Sequence, residues 1–214
     1  MPPKTILYAT TNPGKIFEVG KLLKSYGIEI KSPKDLGLEI DIPENGLTLE
    51  ENAITKAKAY LKFGVDIPII ADDTGVEIDA LGGDPGIHVR RWKDKKTKMG
   101  DQEVIDYCLY KMRNIPNGKR GAQFRTVIAL ASPDNPIETF DGILRGEILE
   151  KPIPLKIEGF PFESIFYIPK WKMILGEVHQ LPANKAKNFL VHRELAVTKA
   201  LPAIRKLLFI HPSG

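Results

Sequence analysis

Hydrophobic and polar positions alternate along this chain in short segments that predict strands and helices in turn, with no repeat and no low-complexity linker. Lys4 to Thr10 (KTILYAT) reads as a buried strand, and a helix is predicted from about Pro13 to Tyr26, ended by Gly27. Thr48 to Lys62 has helical periodicity. At about 100° per residue, Leu49, Ala53, Ile54, Ala57, Tyr60 and Leu61 fall on one arc, with Glu51, Lys58 and Lys62 opposite. Asn52 and Lys56, four apart, share a ridge at the border of those faces, from which both reach past the core towards a cleft. Ile67 to Ala71 predicts a second short buried strand, closed by a turn at Asp72-Asp73-Thr74-Gly75, and Val76 to Leu81 resumes strand character.

The second half is richer in strand signals. Gln123 to Ala131 and Ile137 to Ile148 are strand candidates across a Ser-Pro-Asp-Asn-Pro turn, and Ser164 to Ile168 is another. A closing helix is predicted from about Asn188 to Leu208, with a kink or break at Pro202. This order gives one α/β domain over 1–214 with a mixed sheet, divided into two lobes.

Composition narrows the class. At 43% hydrophobic and 27% charged residues the chain can bury a core. No apolar run reaches the roughly 18 residues of a membrane span, and Met1-Pro-Pro-Lys4 lacks the apolar stretch of a signal peptide, so a cytoplasmic protein without a membrane partner is expected. The single Cys108, in an apparent helix from Glu103 to Met112, reads as a small buried hydrophobe and makes redox or zinc chemistry a poor fit. The net charge of +4 hides uneven blocks: −5 over residues 1–88, +7 over 89–125, −4 over 126–169 and +6 from 170 onward. Basic limbs around an acidic centre suit a metal-bound polyphosphate better than a duplex, and no nucleic-acid-binding signature is present.

Four segments carry candidate chemistry. Thr10-Thr11-Asn12-Pro13-Gly14-Lys15 joins a strand to a helix: Asn12 is a good N-cap, Pro13 suits the first helical position, and free N–H groups beside Lys15 would favour an anion. It is no Walker A loop, since the first glycine is missing and Ile16 stands where Ser or Thr would hold magnesium. The pair Asp72-Asp73 offers oxygen ligands for magnesium and a proton acceptor, provided a turn brings both carboxylates to one site, and Glu44 offers a third carboxylate. Gly159-Phe160-Pro161-Phe162-Glu163 places aromatics that can stack on a base beside a carboxylate that can read its ring N–H groups. Lys187 and His192-Arg193 add donors able to read a keto group. Each also has a plain structural alternative: a capped helix, a solvated turn, a loop plugging the core, a surface pair.

Taken in order, these segments resemble the inosine triphosphate pyrophosphatase family, the non-standard purine nucleoside triphosphate pyrophosphohydrolases. The family's Thr/Ser-x-Asn-x-x-Lys matches Thr10, Asn12 and Lys15, with Glu18 in its usual place; Glu-Asn-Ala-x-x-Lys-Ala matches Glu51 to Ala57. Ala-Asp-Asp-Ser-Gly-Leu appears as Ala71 to Val76, followed by Asp79 to Gly83 and Pro85-Gly86, and Ser-His-Arg as Val191-His192-Arg193. The resemblance implies an elongated mixed sheet with flanking helices forming two lobes around a central cleft, usually in a homodimer. It further implies magnesium-dependent hydrolysis of nucleoside triphosphates to monophosphate and pyrophosphate, favouring inosine, xanthosine and deoxyinosine triphosphates. On that pattern Thr10, Asn12, Lys15 and Lys56 hold the phosphates with Asn52 nearby, Glu44 and Asp73 hold Mg2+ supported by Asp72, Asp73 is the base for the attacking water, and Thr74 touches substrate.

Departures cluster at the base end. Gly-Phe-Gly-Tyr/Trp-Asp-Pro becomes Gly159 to Ser164, with Pro161, Phe162, Glu163 and Ser164 altered; Val191 replaces serine; and Tyr-Ser-Ala-Arg-Tyr becomes His88-Val89-Arg90-Arg91-Trp92, which puts Arg91 near the expected phosphates. Altered base preference, including ordinary nucleotides, therefore stands beside the family's own substrates. A non-catalytic nucleotide sensor and a nucleic-acid-binding protein are lesser alternatives.

Overall fold

The computed structural model describes residues 4–38, 40–155, 157–186 and 188–210. Eight strands form one mixed sheet: β1 (Lys4–Tyr8), β2 (Ile28–Lys31), β3 (Ile69–Ile78), β4 (Pro85–Gly86), β5 (Gly121–Ala131), β6 (Glu138–Ile148), β7 (Phe166–Ile168) and β8 (Met173–Ile174). Their order is β2-β1-β3-β5-β6-β7-β8, with β4 paired to β3. The helices are α1 (Pro13–Lys24), α2 (Leu49–Lys62), α3 (Asp101–Met112), α4 (Leu175–His179), α5 (Ala183–Ala186) and α6 (His192–Ile210). Among the described residues no helix is long and apolar enough to cross a membrane.

The chain divides into two compact units. The first comprises 1–74, 126–143 and 191–214, and the second 75–125 and 144–190, so β3, β5 and β6 each contribute to both. In the first unit β1 lies between β2 and β3, parallel to both. Its core joins Ile6, Tyr8, Ile70, Ile128 and Leu130 of the strands to Val19 and Leu23 of α1 and to Ala196, Val197, Ala200 and Ile204 of α6. Gly142 lets α6 approach the sheet this closely, since a Cβ there would sit 2.0 Å from the His192 carbonyl and 2.4 Å from the Ala196 nitrogen. The second unit buries Trp92, Phe162 and Phe166, with Phe124 edge-on to Phe162 and Phe166, and Cys108 is buried on α3.

Two expectations change. β3 runs unbroken through Asp72-Asp73-Thr74-Gly75, where a turn was predicted, because the following residues of the strand pair with β4. Helix α6 passes through Pro202 without a break, since Pro202 is on the exposed face and the carbonyl it leaves unpaired can turn to water. Lys93 to Lys98 form an exposed loop gathered around Asp94, whose carboxylate accepts from the Lys96 and Thr97 backbone and the Thr97 hydroxyl.

Candidate functional site

The first unit assembles its polar side chains on β3. In a strand successive side chains point to opposite faces, so Asp72 and Asp73 enter different surroundings. Asp72 is 1% exposed and accepts from the Tyr8 hydroxyl at 2.9 Å, Lys15 Nζ at 2.9 Å and Arg193 Nε at 3.1 Å. Burial alone would raise its pKa, but Lys15, Arg193 and Lys56 together hold it well below the carboxylate range. Arg193, 2% exposed, also donates to Glu18 Oε2 at 2.6 Å and Thr74 Oγ1 at 3.2 Å; against the pull of burial, the carboxylates of Glu18 and Asp72 keep it firmly charged.

Asp73 faces α2 and the loop before it. Asn52 Nδ2 donates to its Oδ2 at 2.9 Å, and Lys56 Nζ lies 3.7 Å from its Oδ1. The same ammonium pairs with Glu44 Oε1 at 2.6 Å and donates to the Asp72 carbonyl at 2.8 Å. Burial raises the Asp73 pKa, and Glu44 adds to the rise against the opposing Lys56 and Asn52. Lys56 moves up, because Asp73, Asp72 and Glu44 outweigh its burial, while Lys15 moves down, because burial outweighs Asp72.

Local sequence explains this placement. Thr48 Oγ1 caps α2 by accepting from the Glu51 N–H, and Glu51 Oε2 accepts from the Leu47 N–H at 2.6 Å. Asn52 Oδ1 accepts from the Gly46 N–H at 2.8 Å, so the first turn of α2 fixes the loop bearing Glu44 while its second presents Asn52 and Lys56 to Asp73. Among the described residues no set of three His, Cys, Asp or Glu converges as a metal cluster. Glu44 and Asp73 nonetheless meet on one cationic point, the Lys56 ammonium, and two carboxylates are the protein share that magnesium usually takes alongside waters and phosphate oxygens. The donor set fits that ion through Glu44 and Asp73; Asp72 is committed to Lys15, Tyr8 and Arg193 on the other face.

At the start of α1 the expectation of free N–H groups is corrected. Asn12 Oδ1 accepts from both Gly14 N and Lys15 N, and Ile16 N bonds the Asn12 carbonyl, so the helix start is internally satisfied. Thr10 Oγ1 accepts from the Asn12 N–H at 3.2 Å. An anion here would meet side chains, Thr10 and Lys15, rather than a bare helix end.

The remaining residues separate. His192 is 4% exposed with Nδ1 2.6 Å from Thr126 Oγ1, and Thr126 in turn meets Thr74 Oγ1 at 2.7 Å, so His192 and Arg193 both belong to the buried network of β3. Lys187 lies outside the described residues. Arg91, Phe160, Phe162 and Glu163 belong to the second unit. There Arg91 is exposed and Phe160 half-buried, but Phe162 is a core side chain packed on Trp92 and Phe124, with no free face for a base. Glu163, 3% exposed, receives His179 Nδ1 at 2.9 Å. Tyr8 and Thr126 escaped the sequence reading, because a tyrosine in an apolar strand and a threonine inside a strand look like packing residues until their hydroxyls find partners.

Fold and site define an α/β protein whose central strand carries two carboxylates, one locked in a buried ion-pair network and one set against an ammonium and a second carboxylate. The chain belongs to the Ham1 family, matching it over residues 6–203. A dITP/XTP pyrophosphatase of Yersinia pestis is 37% identical over 203 residues, covering 94% of this chain and 98% of its own. One from Bacillus subtilis (strain 168) is 35% identical over 196 residues, 92% and 94% of the two chains. The solved structure of the Staphylococcus aureus Ham1 protein is similar at 32% identity and a TM-score of 0.74, over 95% of this chain and 99% of that one. These likenesses bear out the family reading drawn from the motifs.

Proposed function

We propose that this protein is a nucleoside triphosphate pyrophosphohydrolase, which cleaves its substrate to the monophosphate and pyrophosphate and acts on dITP and XTP as its relatives' names state. The observation that carries the mechanism is the convergence of Asp73 and Glu44 on Lys56 beside the buried Asp72 network. In this reading Asp73 takes a proton from the water that attacks the α-phosphorus; the new O–P bond forms as the bond to the pyrophosphate oxygen breaks. Its hydrogen bond from Asn52 suits a proton acceptor held at one angle. Lys56, Lys15 and Thr10 bind phosphate oxygens, with the two lysines offsetting charge on the leaving group. Glu44 and Asp73 would hold magnesium, which neutralises phosphate charge and orients the oxygens when bound. Asp72, Arg193, Glu18 and Tyr8 keep β3 and Lys15 in place.

Phe160 is the side chain for stacking on the base. A second reading, in which base preference widens to ordinary nucleotides, is favoured by Glu163, turned onto His179, and by the buried Phe162. The reading includes a homodimer in the cytoplasm, and sedimentation tests the dimer. A panel of inosine, deoxyinosine, xanthosine and ordinary nucleoside triphosphates with magnesium, scored for pyrophosphate and orthophosphate, tests the activity. Pyrophosphate from at least one substrate is expected; orthophosphate alone would move the cleaved bond. Asp73→Asn should lower kcat by at least about 100-fold while nucleotide binding stays measurable, and a wild-type rate would remove Asp73 from the base role.

A further inference from the structure

Gly159, at φ 83°, is gripped on both sides of its backbone by residues distant in sequence. Its N–H donates to Asp101 Oδ2 at 2.9 Å, and its carbonyl accepts from Arg90 Nη2 at 2.8 Å. The two side chains close the ring, with Arg90 Nη1 on Asp101 Oδ1 at 2.5 Å. Both oxygens of Asp101 and two nitrogens of the Arg90 fork are thus engaged around one peptide segment. Arg90 stands on the short 3₁₀ turn Val89–Arg91, and Asp101 is the first residue of α3. The next residue, Phe160, donates its N–H to the Ile157 carbonyl at 3.1 Å and accepts at its own carbonyl from Glu163 N at 3.2 Å. Its side chain lines a cavity of about 250 Å³ with Asp101, Ile105, Ile153, Leu155 and Pro161.

We propose that Arg90 and Asp101 are positioning residues: a clamp that presets the Gly159-Phe160 backbone, and with it the angle of the Phe160 ring, for stacking on the nucleotide base. This rests on the reading that Phe160 is the stacking residue. In the Tyr-Ser-Ala-Arg-Tyr pattern that the resemblance supplies, Arg90 stands at the alanine position. Magnitudes separate a positioning role from a scaffolding one. The pair is partly exposed, at 29% and 18% for the two side chains, so water screens it and its contribution to overall stability is modest. Ordering a loop before substrate arrives, in contrast, spares that ordering from the binding step and appears in KM. A lysine at 90 would keep a charge opposite Asp101 but could not reproduce the planar fork that spans Asp101 and the Gly159 carbonyl.

The full-length enzyme tests this with pyrophosphate release from inosine triphosphate and with inorganic triphosphate as a competitor that has no base. Arg90→Ala and Asp101→Asn should each raise KM about fivefold or more with kcat within about twofold, and the double variant should be no worse than either alone. Arg90→Lys should not restore KM. The inhibition constant of inorganic triphosphate should stay at its wild-type value and the melting temperature within about 5 °C of the wild-type one. A wild-type KM in Arg90→Ala, full rescue by lysine, an equal loss of triphosphate affinity or a melting temperature lowered by more than about 5 °C in the single variants would each overturn the clamp. Phe160→Ala distinguishes the two levels: raised KM there with a wild-type KM in Arg90→Ala sinks the clamp alone, whereas a wild-type KM in both sinks the stacking reading beneath it.

Discussion

Around Asp72, three donors from β1, α1 and α6 satisfy a carboxylate that water barely reaches, whereas Asp73 shares a single ammonium with Glu44. The chemical difference between these neighbours is one of environment, and it predicts opposite phenotypes. Asp72→Asn removes the charge that balances Arg193 and Lys15 in the interior, and should cost about 3 kcal/mol of unfolding free energy in urea, because breaking a buried pair strands its partner. Loss of activity in that variant with unchanged stability would instead make Asp72 a participant in the chemistry. The sequence made the acidic pair, Asn52 and Lys56 legible as a group, since carboxylates and amines have few reasons to gather at the edge of a core. It could not show which carboxylate faced which partner: that depends on strand alternation, and the Thr-Gly that follows imitates a turn. Nor could it show that Arg193 turns inward, because its partners Glu18 and Asp72 lie far away along the chain.

At the scale of elements, the start of α2 acts as a jig for the loop that bears Glu44. Thr48, Glu51 and Asn52 each bond a backbone N–H within residues 46–51, and Asn52 reaches Asp73 with its other end. A side chain at Gly46 would put its Cβ 2.7 Å from Asn52 Oδ1 and 2.8 Å from the Glu51 Cβ, so backbone there has to move. Gly46→Ala should therefore lower kcat/KM about tenfold or more through displaced Glu44 and Asn52, by the same sensitivity that makes small misplacements costly in catalysis. Steady-state kinetics checks this, and unchanged kcat/KM would uncouple the loop from the site. Periodicity found this helix to within one residue because Thr48 is a cap and the apolar arc is clean. It misjudged α6 at Pro202, where the cost of a missing hydrogen bond is low on a solvent-facing side.

Across the whole molecule, the four charge blocks regroup once the chain is folded. The first unit holds 13 basic and 15 acidic side chains, a charge of −2, while the second holds 18 and 12, a charge of +6. Position along the chain therefore says little about charge in space, since the acidic first block shares its unit with the basic end of α6. Cys108 gives a global readout of the second unit. Burial pushes its thiol up to about 12, so in the folded protein it stays neutral and enclosed. It should resist alkylation by iodoacetamide at pH 8 until the protein unfolds; rapid labelling of native protein would contradict its burial. Because the folded pKa is raised, the stability tied to this thiol is intact below the unfolded value of about 8.5 and falls by about 1.4 kcal/mol per pH unit as pH rises towards the folded one.

The unbroken run of β3 has a consequence for how this sequence can vary. The roles of Asp72 and Asp73 are assigned by odd and even position alone, so gaining or losing one residue between Ile69 and Asp72 would carry each carboxylate to the other's face. Two adjacent aspartates thus provide no spare copy of either. A point substitution along this stretch disturbs one site at a time, but a change of length displaces both carboxylates at once, and insertions should collect instead where the count carries no information, as in the turn around Pro133 and Asp134 between β5 and β6.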